Sequence, residues 1–409
     1  MEKKKPFYGW VIVAAGCVIM ATAMGIASNC NSLFIRPVAE ELGLSRQSVS
    51  MMLSMMSFGS MAASFFAGRI FSETNIVKVM RAAIVVMVVA YFSNSFARDI
   101  RMLYATHLIN GVAMCLVTVL PVTFLINNWF RDKVGYAMGL ASMGSGIGGA
   151  LFNSLAGQLM TRIGWRMTYR VLAGFILVIA VPCVFFLLKL KPSDMGLEPY
   201  TEEGHAEAAV QTEATGYTYA EAKKMPQFWI ICVMAVLIGT CMNGMYTSIS
   251  PHLQDSGYSL SFSANFMSVC MLALAAGKIA LGKIFDKAGA RIGFCWACFS
   301  LVLAMAGLIF CRTAPALILI VIGVAFGCIF GAVVFPLSIP LVFGKKDYRV
   351  IMGPYSALIS LGGVIGPVLA GRFYDMMGSY NLFYIAALVA TALVIAVMFR
   401  ILPDKAHQF

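Results

Sequence analysis

Residues 267–281 read MSVCMLALAAGKIAL, an apolar run with a single charge, Lys278. The next ten, Gly282-Lys283-Ile284-Phe285-Asp286-Lys287-Ala288-Gly289-Ala290-Arg291, carry four charges. Long apolar run followed by short charged break is the pattern of the whole chain. Its 409 residues are 60% hydrophobic and 12% charged, with mean hydropathy +0.84. A soluble domain carries about 25% charged residues, so this chain is solvated mostly by lipid. Crossing a hydrocarbon core of about 30 Å takes about 20 apolar residues. Twelve segments meet that need, near 8–34, 47–68, 77–97, 102–129, 136–160, 167–188, 227–252, 261–283, 292–311, 315–343, 350–371 and 379–401. All 18 Asp and Glu, and every Lys and Arg except Lys278, fall in breaks, tails or the turns at segment ends. A charge held in hydrocarbon costs roughly 2.5–3.5 kcal/mol on insertion scales and usually has a functional reason. A lone buried cation with no buried carboxylate to match it implies that the ligand is the missing anion.

The basic residues predict orientation, since cytoplasmic loops are rich in Lys and Arg. With the N-terminus inside, the inner segments hold 20 Lys and Arg and the outer ones nine, all Arg. An even number of spans then puts both termini in the cytoplasm. The net charge of +12 reflects topology and contact with anionic lipid, and no basic stretch interleaved with aromatics points to nucleic acid. The charged start Met1–Lys5 resembles a signal peptide, but the apolar run to Phe34 is too long for one and reads as an uncleaved first helix. The eleven Cys are scattered singly without a CxxC pair and read as small packing residues.

Residues 190–224 carry seven acids and no apolar run, which predicts a polar cytoplasmic linker. It separates an N-terminal six-helix half, 1–189, from a C-terminal six-helix half, 225–409. The halves repeat at an offset of 214: Gly25 maps to Gly239, Gly43 to Gly257, Ser45 to Ser259, Gly68 to Gly282, Gly139 to Gly353, Ser142 to Ser356, Gly157 to Gly371 and Gly164 to Gly378. Duplicated six-span halves are the layout of a transporter whose central site opens alternately to each side. The expected fold is therefore an all-α membrane protein of twelve transmembrane helices in two pseudo-symmetric halves.

The stretch Gly282–Arg291 resembles the loop motif of the major facilitator superfamily: Gly, three residues, Asp, a basic residue, then Gly and a second basic residue at alternate positions. The equivalent stretch after the second span, Gly68-Arg69-Ile70-Phe71-Ser72-Glu73, lacks the Asp and the second Gly. The motif implies a short loop whose carboxylate meets a helix N-terminus or a basic neighbour and latches one conformation. Gly282, Asp286 and Arg291 are thus gating candidates, against the plainer reading of a solvated turn. Within that superfamily the chain is similar to the monocarboxylate transporters and the bacterial oxalate/formate antiporters. The likeness rests on Phe7-Tyr8-Gly9-Trp10, on the small-residue stretch Gly139–Gly149 and on Lys191-Pro-Ser-Asp-Met-Gly-Leu-Glu-Pro-Tyr200. It implies transport of a small carboxylate. Departures matter too. Lys278 stands where the monocarboxylate transporters have Arg, Leu274 where they have Asp, and Asn29 where they have a first-span Lys. Leu358 stands where the oxalate/formate antiporter has a second cation. One cation in place of two favours one carboxylate per substrate.

Lys278 is a point charge able to hold a carboxylate, or else a Lys that snorkels to the inner interface. Asn29 and Asn243 are mates across the repeat, and Asn243 shares a helical face with Tyr246 and Ser250. They read as substrate contacts or as interhelical glue. Tyr355 and Ser356 open span eleven and read as cavity-facing or as packing. His107, four residues before Gly111, occupies a place where many superfamily members carry Arg. It reads as a coupling or gating group, or as a hydrogen-bonded packing residue. No Walker loop, Rossmann fingerprint, metal-ligand cluster or nucleophile with its base is present, so neither an enzyme nor a cofactor is expected. The reading is a secondary transporter of the inner or plasma membrane, working as a monomer in lipid. Its substrate would be a small organic anion, a monocarboxylate, with H+ as a possible partner. Exchange of related carboxylates is one alternative, and a sensor or scaffold that has lost transport is another.

Overall fold

The computed structural model describes residues 7–71, 75–201, 216–344 and 346–402. Nearly all of them are helical, as hydrocarbon demands: with no water to satisfy them, backbone amides must bond within their own helix. Among the described residues, ten helices are long and apolar enough to cross a membrane. The apolar stretch Tyr136–Leu187 is in fact two spans, because Gly164 breaks it with φ 73° and ψ 169°. The shorter helix Ala314–Gly327 starts one more span, continued by a wide turn at Phe330–Val334 and the helix Phe335–Phe343. Pro336 fits that wide turn, since it has no amide to donate four residues back into it. Counting these, the described residues form twelve spans, α1 to α12. They are Gly9–Leu42 (α1), Arg46–Ile70 (α2), Ile76–Phe96 (α3), Ile100–Trp129 (α4), 136–163 (α5), 165–187 (α6), Pro226–Asp255 (α7), 260–288 (α8), 290–309 (α9), 314–343 (α10), Tyr348–Met377 (α11) and Asn381–Ile401 (α12).

The stretch expected to be a loop after the eighth span is not one. Helix α8 runs on through Gly282 and the motif, and the break is the single residue Gly289, with φ 84° and ψ 170°. Glycine is required there because φ is positive. The acids Glu202, Glu203, Glu207 and Glu213 of the linker, with Ser72 and Glu73 of the first motif copy, lie outside the described residues.

The chain groups into two compact units: Met1–Phe34 with Gly59–Val210, and Ile35–Phe58 with Gln211–Phe409. In unit one, α1 lies backbone to backbone against α5. A methyl group built on Gly25 would stand 2.7 Å from the Gly148 carbonyl carbon, and one on Gly148 would overlap the Ala21 carbonyl. Unit two repeats the device between α7 and α11. A methyl group on Gly239 would stand 2.7 Å from the Ile359 oxygen, and one on Gly366 would stand 2.5 Å from the Thr240 oxygen. Gly148 and Gly362 are themselves mates at the 214 offset.

The start of the linker is fastened to unit one. Tyr200 N–H donates to the Trp129 carbonyl (2.9 Å), and its ring joins Phe7, Trp10 and Phe130 at centroid distances of 5.6, 6.1 and 5.7 Å. The sequence stretches Phe7–Trp10 and Lys191–Tyr200 thus meet in one aromatic cluster. The end of the linker is fastened to unit two, where Tyr217 N–H donates to the Phe343 carbonyl (2.9 Å) and Tyr219 N–H to the Asp347 carboxylate (2.8 Å).

The glycine contact sets a test. Overpacking a tight site costs about 1–3 kcal/mol or more. Gly148→Val is expected to lower the thermal midpoint of purified protein and the yield of monodisperse material. Gly139→Ala, where a methyl group meets nothing within 4 Å, is expected to change neither. Equal midpoints for Gly148→Val and wild type would show that the helices can part there without cost.

Candidate functional site

Lys278 lies on α8 ten residues before its end, about 15 Å at 1.5 Å per residue. Gly277 beside it packs so closely on α10 that a methyl group there would overlap the Ala325 carbonyl. That contact fixes the rotation of α8 at this level. Lys278 is half-buried, and no hydrogen bond or ion pair to its ammonium occurs among the described residues.

Three of the six expected substrate contacts, Lys278, Tyr246 and Asn243, lie on α7 and α8 of unit two. Met271, Leu274 and Lys278 follow one face of α8 at i, i+3 and i+7. The Tyr246 hydroxyl, on α7, donates to the Met271 sulfur at 3.6 Å, so Tyr246 stands over the same face. Asn243 lies one turn earlier on α7. Its amide donates to the Gly239 carbonyl at 2.8 Å, which leaves its side-chain oxygen as the free acceptor of the group. Helices α7 and α8 thus offer one cation and a few polar atoms on otherwise apolar surfaces. That suits a small anion with an apolar body.

The others are placed differently. Tyr355 is fully buried in the core of unit two, packed against Phe228 (5.4 Å) and Phe335 (6.3 Å), and its hydroxyl donates to the Phe228 carbonyl at 3.3 Å. Its neighbour Ser356 is exposed, and its carbonyl accepts from the Ser360 hydroxyl at 2.9 Å. Asn29 belongs to unit one, where its amide donates to the Ser145 carbonyl at 3.0 Å and ties α1 to α5. His107 is also in unit one and fully buried. Its Nδ1 is paired with the Leu103 carbonyl at 2.8 Å, and its Nε2 has no partner. Arg291 holds the end of α12: its Nε donates to the Leu402 carbonyl (2.9 Å) and its guanidinium lies 5.0 Å from the Phe399 ring centre. Gly282 sits within helix with open space around it, and the Asp286 side chain lies outside the described residues.

One charged cluster was not anticipated, because its members read as separate loop charges. In unit two the Arg46 guanidinium donates to Asp255 at 3.0 Å, and the backbone amides of Arg46 and Gln47 donate to the two oxygens of Asp375 at 2.8 and 2.9 Å. Beside it is a cavity of about 530 Å³ lined by His252, Asp255, Arg312, Tyr374 and Asn381. The available signal was spacing. Gly371, Asp375 and Gly378 repeat the Gly282, Asp286, Gly289 pattern.

The Major Facilitator Superfamily model matches residues 15–343. The chain belongs to the Major Facilitator Superfamily. Among curated proteins it is 26% identical over 348 residues to an MFS-type transporter of Escherichia coli, YhjX, covering 82% of each chain. It is 23% identical to monocarboxylate transporter 13 of Rattus norvegicus, covering 93% of this chain and 86% of that one. With human monocarboxylate transporter 10 it shares 24% identity over 93% and 75% of the two chains. The nucleoside transporter NupG superposes with a TM-score of 0.73 at 12% identity, over 96% of this chain and 98% of that one. A bacterial homologue of the human lysosomal transporter Spinster gives 0.69 at 15% identity, over 97% of each. These structures agree on the fold. The chain is a multi-pass membrane transporter of the superfamily.

The burial of Tyr355 yields a prediction. Tyr355→Phe removes one neutral hydrogen bond, worth about 0.5–1.5 kcal/mol. Thermal stability is expected to fall by that order while substrate affinity stays at the wild-type value. A collapse of affinity without loss of stability would return Tyr355 to the site.

Proposed function

We propose that this transporter carries a small organic anion, a monocarboxylate, held at Lys278. The observation that carries the reading is a half-buried ammonium without an anionic partner among the described residues, on the face of α8 that also bears Met271, to which Tyr246 of α7 donates. The names of two curated relatives, monocarboxylate transporters, point the same way. Leu274 and Leu358 add no second charge, so a second carboxylate would enter unpaired at a cost of several kcal/mol. Transport runs by alternating access in the inner or plasma membrane, with both termini cytoplasmic, as the basic residues suggest.

The direct test is a thermal-shift screen against carboxylates, since a ligand that binds only the folded state raises apparent stability. Wild-type protein is expected to respond to a monocarboxylate, and Lys278→Gln to lose the response while keeping its own midpoint. An undiminished response in the Gln variant would leave Lys278 as a snorkelling residue. Oxalate outcompeting every monocarboxylate would overturn the specificity, and Leu358→Lys is expected to shift preference towards dicarboxylates.

Coupling follows from the same residue. Lys can give up its proton in an apolar site, whereas Arg effectively never does. If anion and proton bind together at Lys278, Lys278→Arg should still exchange substrate across proteoliposomes but lose net uptake driven by a pH gradient. Full pH-driven uptake in the Arg variant would move the proton pathway elsewhere, with His107 as the next residue to replace.

A further inference from the structure

The cavity of about 530 Å³ in unit two is built where three pairs of helices meet at one end of the unit. Helix α7 brings its last turn, with His252 and Asp255, and Ser256 just beyond it. The connection from α9 to α10 brings Arg312, and the end of α11 and start of α12 bring Tyr374 and Asn381. Side-chain bonds fix these pieces on one another. His252 Nε2 donates to the Leu308 carbonyl at 2.9 Å, the Cys311 thiol to the Ser256 hydroxyl at 3.2 Å and the Tyr258 hydroxyl to the Cys311 carbonyl at 3.0 Å. The His252 ring also packs edge-on against Tyr380 and Tyr384, at 5.9 and 5.1 Å. The space is therefore framed by bonded groups, and small-molecule sites typically measure about 300–1,000 Å³.

The polar groups around it are divided by charge. Asp255 belongs to a bonded network in which three carboxylates, Glu40, Asp255 and Asp375, meet two guanidiniums, Arg36 and Arg46. One negative charge is left over in that network, and the Asp255 side chain remains 19% exposed. Two neutral acceptors stand with it. His252 is buried, and because its Nε2 carries the proton given to Leu308, its Nδ1 is an acceptor. Asn381 Oδ1 is buried without a partner among the described residues. A buried acceptor left unpaired costs about 1–3 kcal/mol, so this side calls for a donor. The opposite charge stands on the connection from α9 to α10, where Arg312 is exposed and has no hydrogen bond or ion pair among the described residues. A metal ion does not fit, since no three His, Cys, Asp or Glu among the described residues are grouped to hold one.

We propose that this cavity is a second ligand site, separate from Lys278, and that it takes a small zwitterion, with the ammonium towards Asp255, His252 and Asn381 and the anionic group towards Arg312. A simple cation would leave Arg312 unanswered, and a simple anion would meet the excess charge of the Asp255 network. Lys278 lies 18 residues into α8, about 27 Å from the start of that helix, so the two sites do not overlap. A free amino acid and the headgroup of phosphatidylethanolamine share this chemistry, an ammonium a few bonds from an anion.

Isothermal titration of the purified full chain with L-leucine and with L-phenylalanine reads the site, and both are expected to bind. In a Lys278→Gln background, leucinamide, which lacks the anion, and N-acetyl-leucine, which lacks the ammonium, should each bind at least about tenfold more weakly than leucine. Arg312→Gln, at an exposed position, should weaken leucine at least about tenfold and leave leucinamide unchanged. Asn381→Leu should weaken leucine and leucinamide alike. Lys278→Gln alone should bind leucine as wild type does. Failure to bind either amino acid would overturn the site, and so would wild-type leucine affinity in both Arg312→Gln and Asn381→Leu. Leucine binding lost in Lys278→Gln but kept in Arg312→Gln would place the amino acid at Lys278 and overturn the second site as well. Protein that responds to no monocarboxylate, yet binds leucine through Arg312 and Asn381, would reject Lys278 as a carboxylate site and keep the cavity. Nanodiscs separate the two sources of zwitterion. Weaker leucine binding in phosphatidylethanolamine than in phosphatidylglycerol would make the headgroup the occupant, and equal affinities would make it the free amino acid.

Discussion

Hydrocarbon supplies no hydrogen bonds, and this one constraint organises the molecule. Each backbone must close its own amides into helix, and the polar side chains follow suit. Thr22, Asn153, Asn243 and Ser248 all donate to a carbonyl four residues back on their own helix. Once helices are self-sufficient and lipid is as apolar as leucine, water no longer drives them together. Attraction has to come from close backbone contact. The glycine seams of α1 on α5 and α7 on α11 provide it twice, at positions that match across the two halves of the chain. The same seams leave few side chains to interlock, so the surfaces remain smooth enough for helices to shift.

Against that background a single cation such as Lys278 stands out. The membrane tolerates it only if something offsets the charge, and no hydrogen bond or ion pair to its ammonium occurs among the described residues. This poverty of partners fits a site whose counter-ion arrives and leaves. Asn29 and Asn243 show how pseudo-symmetry relaxes in such a protein. They are mates in sequence, but one amide bridges two helices while the other folds back on its own.

Much of the fold was legible from sequence because the twelve apolar runs report directly on the solvent. Gly164 and Gly378, and Gly43 and Gly257, were visible only as matched pairs of the repeat; the structure adds that each has a positive φ, where a side chain would strain the turn. What escaped was whatever depends on tertiary partners. Tyr355 looked cavity-facing by its place on α11, but its helix turns it into the core of unit two. The motif at Gly282–Arg291 looked like a loop because four charges interrupt an apolar run, yet charges near an interface do not break helices. Only Gly289 does. Arg46 and Asp375 were each visible as ordinary charges at span ends, and nothing local to either one announces the other.

That separation has a consequence for how the protein is made. Arg46 and Asp375 are 329 residues apart, in a chain of 409. At translation speeds of 5–20 residues per second, roughly 16 to 66 s pass between the synthesis of the two. The first hairpin enters the bilayer early, but the opening turn of its second helix waits, amides uncapped, until almost the last span has been inserted. The piece of the N-terminal half that is synthesised among the first is therefore among the last to be completed. A ribosome that stalls before residue 375 leaves a chain that can pack along its first glycine seam while the opening turn of its second helix still lacks its cap.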